Sequence, residues 1–579
     1  MNTAEILIKM LEADGVEYIF GHPGEQVLPF YKVLKDSSIK HILTRHEQAA
    51  VHAADAYARS LGVYGLSIAT AGPGAMNMVM GVSTAFKDSV PLLVITGDND
   101  FDADSETFQS FPINEVFKPI SLKSYHPDSL RQAVSDLREA LHILNNYPKG
   151  PVHINLSKNV LLEELDDGIS VSNLLESLSS EDLDNNMSDD NVFDNGNLSF
   201  ENGFSVKFDD FYETSSDYVD ANIDLIVNKL HNAEKPLLLV GNGVVWGKAI
   251  EKLKAFVSKT HIPIVTTYHS KGILDEGDNF NLGIVGLRGA PISDYAYLNS
   301  DCILVLGARL SERTIAVSNF DEIREKMIHV NIDRTCLKGK INICNDVSVL
   351  LDLLLDDSIF EFDNYSVGQN DLWLDEIYSH DDEVFIDGIS EERENYESLR
   401  PPYAINKIVD KFMGSYFLSD AGTHTTWTTL LCRNDKFGKL LFSGGFGPMG
   451  YGLSASIGVA IAHPDSNIVV ICGDGDIQMV IQELATIKEY GLNVSIFVIN
   501  NSQLGIIRQW EETIYDFEKY EVDLNNPDFN KLAEAYGIDS MEVNSKEELL
   551  EAIDNAFNSS HAFLADVHVL EENIPLAKK

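Results

Sequence analysis

The chain has 579 residues, 44% of them hydrophobic, with 90 acidic against 43 basic side chains and a net charge of −47. That length exceeds one hydrophobic core and implies about three domains. The charge argues against a nucleic-acid-binding surface, which needs a basic face, and no apolar run reaches the ~18 residues of a membrane span.

In chain order, the first hundred residues alternate helix and strand. The apolar periodicity predicts helix 3–13, strand Tyr18–Phe20, helix near 26–35, strand Ile39–Leu43 and helix 46–60, then strand Leu66–Thr70, helix 75–86 and strand Leu92–Thr96. This pattern reads as a doubly wound α/β domain over residues 1–161. Two of its loops stand out at strand ends. Thr44-Arg45-His46-Glu47-Gln48 sets a carboxylate at a helix start, where the dipole favours it. Ala71-Gly72-Pro73-Gly74-Ala75 lets the backbone pass close to a ligand.

Residues 162–220 are acidic and rich in Asn and Ser, and read as a flexible linker or surface insertion. Residues 221–355 return to α/β, with PLLLVGNGV running a strand into a glycine turn. Residues 356–400 form a second acidic stretch, expected to link to a last domain over 401–579. Five cysteines (Cys302, Cys336, Cys344, Cys432, Cys472) show no paired metal spacing and no disulfide framework. The first helix carries acidic residues and does not read as a signal peptide. A cytoplasmic enzyme is expected.

The last domain holds the most informative stretch. Ile468–Cys472 reads as a buried strand, Gly473-Asp474-Gly475 as a tight turn, residues 477–490 as a helix, and Val494–Ile499 as a second strand ending in Asn500-Asn501. This is one βαβ unit, and ligands of a parallel sheet sit at the carboxyl ends of its strands. An Asp carboxylate and an Asn amide oxygen are hard ligands, and Mg²⁺ takes one or two such groups together with phosphate oxygens. The glycines and the helix N-terminus suit an anion. Asp474 and Asn501 are therefore candidates to hold a Mg²⁺–diphosphate pair.

The GDG…NN spacing resembles the thiamine-diphosphate (ThDP) signature. FGHPGEQVLPFY, RHEQAAVHAADAYARSLG and TAGPGAMNMVMGVSTAFKDSVPLLVITG, with Thr107-Phe108-Gln109, PVHINLSKNV, GGFGPMGYGLSASIGVAIA and the pair Gln509-Trp510, are similar to the acetolactate synthase (acetohydroxyacid synthase) catalytic subunit. The resemblance covers nearly the whole chain apart from the two acidic stretches. It implies three doubly wound parallel-sheet domains: pyrimidine-binding, central and diphosphate-binding.

The resemblance also implies roles. Glu47 would hydrogen-bond the cofactor aminopyrimidine N1′ and so drive loss of the thiazolium C2 proton, work suited to a buried Glu. Gly72, Gly422, Thr423, His424, Gly473, Asp474, Gly475, Asp476, Asn501 and Gly505 would contact ThDP, and Met449 would prop it into a bent form. The metal would be held by Asp474, Asn501 and the main-chain carbonyl of Gln503. Gln109 and Lys158 would line the approach, although the sequence alone favours reading Lys158 as a surface loop lysine. Arg313 and Trp510 would shape the acceptor pocket. Gly241, Gly243, Thr267, Arg309, Arg313 and Asp333 would contact an FAD not used for redox chemistry. Ser311 for an Asp and Leu287-Arg288 for Met-His depart from the family there, so a central domain without flavin stays open.

The function implied is decarboxylation of pyruvate and transfer of the hydroxyethyl group to a second 2-keto acid, pyruvate or 2-ketobutyrate, in branched-chain amino-acid biosynthesis. Glu25 and Gln26 replace small residues of the family beside the pocket. A carboxylate there disfavours an anionic substrate unless it points away. Another ThDP-dependent 2-keto acid decarboxylase or carboligase is the alternative, and an inactive assembly subunit is a third reading that Glu47 argues against. The resemblance further implies a homodimer or homotetramer with a site shared between chains, and leaves room for a regulatory small subunit.

Overall fold

Strands buried on both faces read as continuous apolar runs, and such runs build parallel sheets covered by helices. The computed structural model describes residues 1–165, 198–199, 205–206, 216–275, 277–287, 289–316, 319–380, 398–432 and 438–575. Among them stand three parallel sheets of six strands each.

The first sheet is ordered Lys40–Leu43, Tyr18–Gly21, Gly65–Ala69, Leu92–Asp98, Pro151–Ser157, Lys123–Tyr125. Numbered within the domain this is 2-1-3-4-6-5. The third sheet, Leu440–Leu441, Tyr416–Ser419, Ile468–Gly473, Val494–Asn500, Phe563–His568, Asp539–Val543, repeats that order. The middle sheet differs. It runs Asn281–Ile284, Ile264–Thr266, Pro236–Val240, Cys302–Leu306, Met327–Asn331, Ile341–Cys344, which is 3-2-1-4-5-6, the order of dinucleotide-binding domains. In the middle sheet the winding reverses once, beside its first strand; the two like-ordered sheets reverse there too and again at the far edge, where the sixth strand lies inside the fifth. The loops on either side of the reversal at the first strand part to leave a crevice at the carboxyl ends of the strands.

The two like-ordered domains pack through equivalent helices, each following the second strand of its sheet. Helix Glu47–Leu61 buries Ala49, Ala50, Ala53, Ala54, Ala56 and Ala58. Its small side chains let helix Tyr451–Ala462 approach so closely that a Cβ on Gly458 would lie 1.9 Å from the Ala53 carbonyl oxygen.

A buried ionic node ties all three domains together. Arg59 Nε lies 2.7 Å from Asp55, and its Nη2 lies 2.9 Å from Asp88. His269 of the middle domain is 3.1 Å from Asp88. From the last domain, Tyr451 donates to Asp55 at 2.7 Å and the Gly445 amide donates to Asp88 at 2.7 Å. Both carboxylates are 0% exposed. Burial alone would raise Asp88, but His269 and Arg59 outweigh it and hold the carboxyl well below its ordinary value. Asp55 is pushed up by burial despite Arg59 and Tyr451.

Several boundaries differ from expectation. Helix 46–60 runs Glu47–Leu61, and strand Leu92–Thr96 extends to Asp98. The helix expected over 477–490 starts at Asp474 and comes in two pieces, Asp474–Gln478 and Glu483–Glu489, because the chain turns at 479–482. The acidic stretch 356–400 is not all linker. Its helix Val367–Tyr378 buries Trp373 and Ile377 against the middle domain. Trp373 Nε1 donates to the Pro236 carbonyl at 3.2 Å, and Asn370 donates to that of Thr260 at 2.8 Å. Acidic residues on the outer face of that helix mask its apolar face in the composition. Most of the insertion expected over 162–220 lies outside the described residues. Its edge does not: Glu163 accepts from the Thr3 amide, and the Leu165 amide donates to the Met1 carbonyl. Helix Ser216–His231 begins within the expected insertion.

One carboxyl of the middle domain predicts a pH effect. Asp294 accepts from the Gly286 amide at 3.0 Å, and burial pushes it up to about 7. A folded-state value above the unfolded one means the folded chain binds the extra proton. The resulting destabilisation is absent below about pH 4 and complete above about pH 7. Asp294→Asn keeps the acceptor without the charge. At pH 8 it should raise unfolding stability by on the order of 1–3 kcal/mol, and at pH 4 by nothing. Denaturant titrations at the two pH values check this, and an equal effect at both would refute it.

Candidate active site

The crevice of the last domain lies between strands Tyr416–Ser419 and Ile468–Gly473. Asp474 stands directly after the second of these, as the first residue of a short helix, and is buried. Its Oδ2 accepts from Asn526 Nδ2 at 2.6 Å. Burial pushes its carboxyl up to about 6, against the pull of Asn526 and of the Gly475 and Ser502 amides. Asn501 follows the neighbouring strand Val494–Asn500, and its Oδ1 accepts from the Gln503 amide at 3.1 Å. Residues 502–504 pair with 522–524: Leu524 N donates to the Ser502 carbonyl, Leu504 N to that of Val522, and Gln503 bridges to Asp523. The Gln503 main chain is thereby fixed next to Asn501.

Asp474, Asn501 and the Gln503 carbonyl offer three hard oxygens, which fits Mg²⁺ with phosphate oxygens completing its shell. Among the described residues no group of three or more His, Cys, Asp and Glu side chains converges, so a metal here depends on this mixed set. Asn526 was not singled out from the sequence. It lies 52 positions from Asp474, and no local pattern ties the two.

Around the Gly473 turn the polar groups crowd. Asp476 accepts from the Gly473 amide at 3.0 Å and lies 3.4 Å from His424. Asp476 Oδ1 and Asp420 Oδ2 are buried without a hydrogen-bond partner. Burial pushes Asp420 up to about 7 against the amides of Gly452, Tyr451 and Gly450. Burial and the Asp420 charge raise Asp476 well above the carboxylate range. Carboxyls driven towards neutrality do not repel an anion, and unsatisfied buried oxygens call for a partner. Gly422 caps helix Thr423–Leu431, and Thr423 lies 3.5 Å from the position of a Cβ on Gly505. Met449 Cε and Leu504 lie 3.2 Å from the Cβ position of Gly475, so an apolar ledge borders the turn. A diphosphate with an adjoining apolar ring fits this arrangement.

Glu47 opens its helix in the first domain and is half-buried. It accepts from Asn77 at 2.9 Å, and a Cβ on Gly74 would lie 3.3 Å from its Oε1. The last domain braces the preceding loop through buried Glu483, which accepts from the Arg45 amide at 3.0 Å. Gly72 caps helix Pro73–Asp88 at φ 53°, and a Cβ there would meet the Gln109 carbonyl at 2.7 Å. This brings Gln109 to the glycine turn. Lys158 starts a short helix after strand Pro151–Ser157, 3.3 Å from Glu25. Among the described residues, no hydrogen bond joins Glu47 to Asp474, Asn501 or Met449 of the same chain.

Trp510 is half-buried in helix Gly505–Thr513. Its neighbour Gln509 has a structural role: it donates to the Ile574 carbonyl at 2.8 Å and accepts from the Ile574 amide at 3.0 Å.

The reversal of the middle sheet opens a second cleft, lined by Gly243, Thr267, Arg309 and Asp333. Gly241 sits behind it, where a Cβ would lie 2.3 Å from Ala308 Cα. Arg309 donates to the Lys87 carbonyl at 2.8 Å, and Asp333 accepts from the Thr335 amide at 2.9 Å. Arg313 does not line this cleft; its carbonyl accepts from the Leu287 amide at 2.8 Å. Arg288 lies outside the described residues.

Three family models match the chain. They are described as the N-terminal TPP (thiamine pyrophosphate, that is, ThDP) binding domain over residues 1–116, the thiamine pyrophosphate enzyme central domain over 223–354, and the C-terminal TPP binding domain over 420–567. Among curated proteins, the "Probable acetolactate synthase large subunit" of Methanococcus aeolicus is 33% identical, covering 98% of this chain and 92% of its own length. The "Acetolactate synthase large subunit" of Haemophilus influenzae is 30% identical over 99% and 95%. That of Lactococcus lactis is 30% identical over 94% and 89%.

Proposed function

The chain belongs to the acetolactate synthase large-subunit family of ThDP enzymes, and from that premise we propose that it decarboxylates pyruvate and transfers the two-carbon unit to a second 2-keto acid. One observation carries the reading. Two like-ordered sheets each present a polar group beside their crevice, Glu47 on one and the Asp474–Asn501 pair on the other. When bound, ThDP supplies the nucleophilic carbon and the electron sink for decarboxylation.

Asp474, Asn501 and the Gln503 carbonyl would hold Mg²⁺, and the Gly473–Asp476 turn with Gly422, Thr423, His424 and Gly505 would hold the diphosphate. Met449 would support the bend of the cofactor. Glu47 would hold the proton exchanged with the aminopyrimidine N1′. Gln109, Arg313 and Trp510 would border the acceptor. FAD is proposed for the middle cleft, on the strength of its 3-2-1-4-5-6 sheet order and the Gly243, Thr267, Arg309 and Asp333 lining.

A homodimer is proposed because Glu47 and the metal ligands belong to different domains with no bond between them. Exposed Phe108 (75%), Tyr515 (70%) and Tyr520 (71%) offer apolar contact to a second copy. No helix of the described residues is long and apolar enough to cross a membrane, and free cysteines suit a reducing cytoplasm.

The test is product identification with ThDP, Mg²⁺, FAD and pyruvate. Acetolactate as the main product is expected. Acetaldehyde alone would move the reading to a decarboxylase, and no pyruvate loss would overturn it.

A further inference from the structure

The rim beside Glu47 carries an ion pair that the proposed reaction does not use. Glu25 opens a single 3-10 turn after the first strand, and its carboxylate lies 3.3 Å from Lys158 Nζ. The two side chains are 64% and 35% exposed, so the pair meets solvent. Its base is nonetheless rigid. The next residue, Gln26, is buried, accepts from Thr70 Oγ1 at 2.6 Å and donates to Asn99 at 3.3 Å. Gly24 is pressed so closely on Thr70 that a Cβ would lie 2.5 Å from its side chain.

Thr70 Cγ2 is in turn 2.9 Å from the Cβ position of Gly74, and Glu47 Oε1 lies 3.3 Å from the same position. Glu25 is therefore anchored to the wall that carries Glu47. On the far side, Asn159 accepts from the Phe101 amide at 2.9 Å, and Asn99 Nδ2 donates to the Phe108 carbonyl at 3.0 Å. Lys158 is thus tied to the segment that ends at Gln109.

We propose that Glu25 is a specificity-determining residue that holds Lys158 and withholds its ammonium from the carboxylate of an incoming 2-keto acid. A free ammonium attracts an anion as a full charge. A paired one acts only as a dipole, whose attraction falls off faster with distance. The pair therefore adds no net charge to the mouth of this site and draws in keto acids weakly. The inference rests on the 2-keto acid reading above.

The test uses the holoenzyme with ThDP and Mg²⁺. Glu25→Gln should lower KM for pyruvate about three- to tenfold, leave kcat within about twofold, and make KM rise more steeply with salt, as an unpaired ammonium is screened. Lys158→Met should raise KM by leaving Glu25 unpaired, and the double variant should return close to wild type. An unchanged or higher KM in Glu25→Gln would overturn the proposal.

Pyruvate binding measured calorimetrically in a Glu47→Gln background separates the two readings. A tighter dissociation constant on adding Glu25→Gln supports the pair's role even if the wild type makes no acetolactate. An unchanged constant, with acetolactate still formed by the wild type, removes that role and leaves the reaction standing.

Discussion

Glu47→Gln should reduce pyruvate turnover by at least ~10²–10⁴-fold while leaving ThDP affinity within about threefold, because the loss is of proton transfer and not of binding. Gln has the same shape, and its Oε1 can take the place of Glu47 Oε2, which accepts from Asn77 at 2.9 Å. The approach to the Gly74 turn should also survive, with the amide nitrogen taking the place of Glu47 Oε1, 3.3 Å from the Cβ position. What disappears is a carboxylate at a helix N-terminus, able to hold and release a proton. Single-turnover pyruvate consumption and a fluorescence titration with ThDP measure the two quantities. Turnover within tenfold of wild type would remove Glu47 from the mechanism.

The same variant reports on assembly. Asp474→Ala should be inactive for a different reason, loss of a metal ligand. If the site combines Glu47 of one chain with Asp474 of another, co-refolding the two inactive variants yields mixed dimers with one intact site. Activity of about a quarter of wild type is then expected. No recovery would place both residues on a site within one chain.

The largest stability effect is expected at Arg59. Arg59→Met removes a guanidinium that faces both Asp55 and Asp88 in a node where each carboxylate is 0% exposed. Removing one partner of a buried ionic group costs about 3–5 kcal/mol, mostly through the charge left behind. For domains of this size that is a fall in thermal midpoint on the order of 10 °C. The node joins three domains through Tyr451, Gly445 and His269, so the transition should also become less cooperative. Asp88→Asn added to Arg59→Met should recover part of the loss, because one uncompensated charge goes with it. Calorimetry checks both, and a shift under 2 °C for the single variant would show that the node carries little stability.

Some of this was legible from local pattern. The βαβ spacing of Asp474 and Asn501 needs only an apolar run, a glycine turn and a second run, and the structure sets these residues at neighbouring strand ends. Glu47 could be found because a strand runs straight into a polar loop and then a helix. Asn526 and Glu483 were not found. Each acts across a long sequence separation, on Asp474 and on the Arg45 amide, and neither carries a local mark. Helix Val367–Tyr378 was hidden for the opposite reason: its composition is that of a linker, and only its burial of Trp373 and Ile377 shows that it belongs to the middle domain.

The sequence by itself determined most of the element types, the three-part division and the hardness of the oxygens proposed to hold a metal, because periodicity, glycine turns and ligand hardness are properties of residues and their near neighbours. Only the tertiary structure decided the rest. Strand order, which separates the two like domains from the dinucleotide-type middle one, depends on pairing between distant segments. The Arg59 node depends on three domains meeting at one point, where low exposure turns ordinary charges into strong ones. Whether Glu25 stands as a bare carboxylate or as half of an ion pair depends on Lys158, 133 positions away, and no local rule of sequence reaches that far.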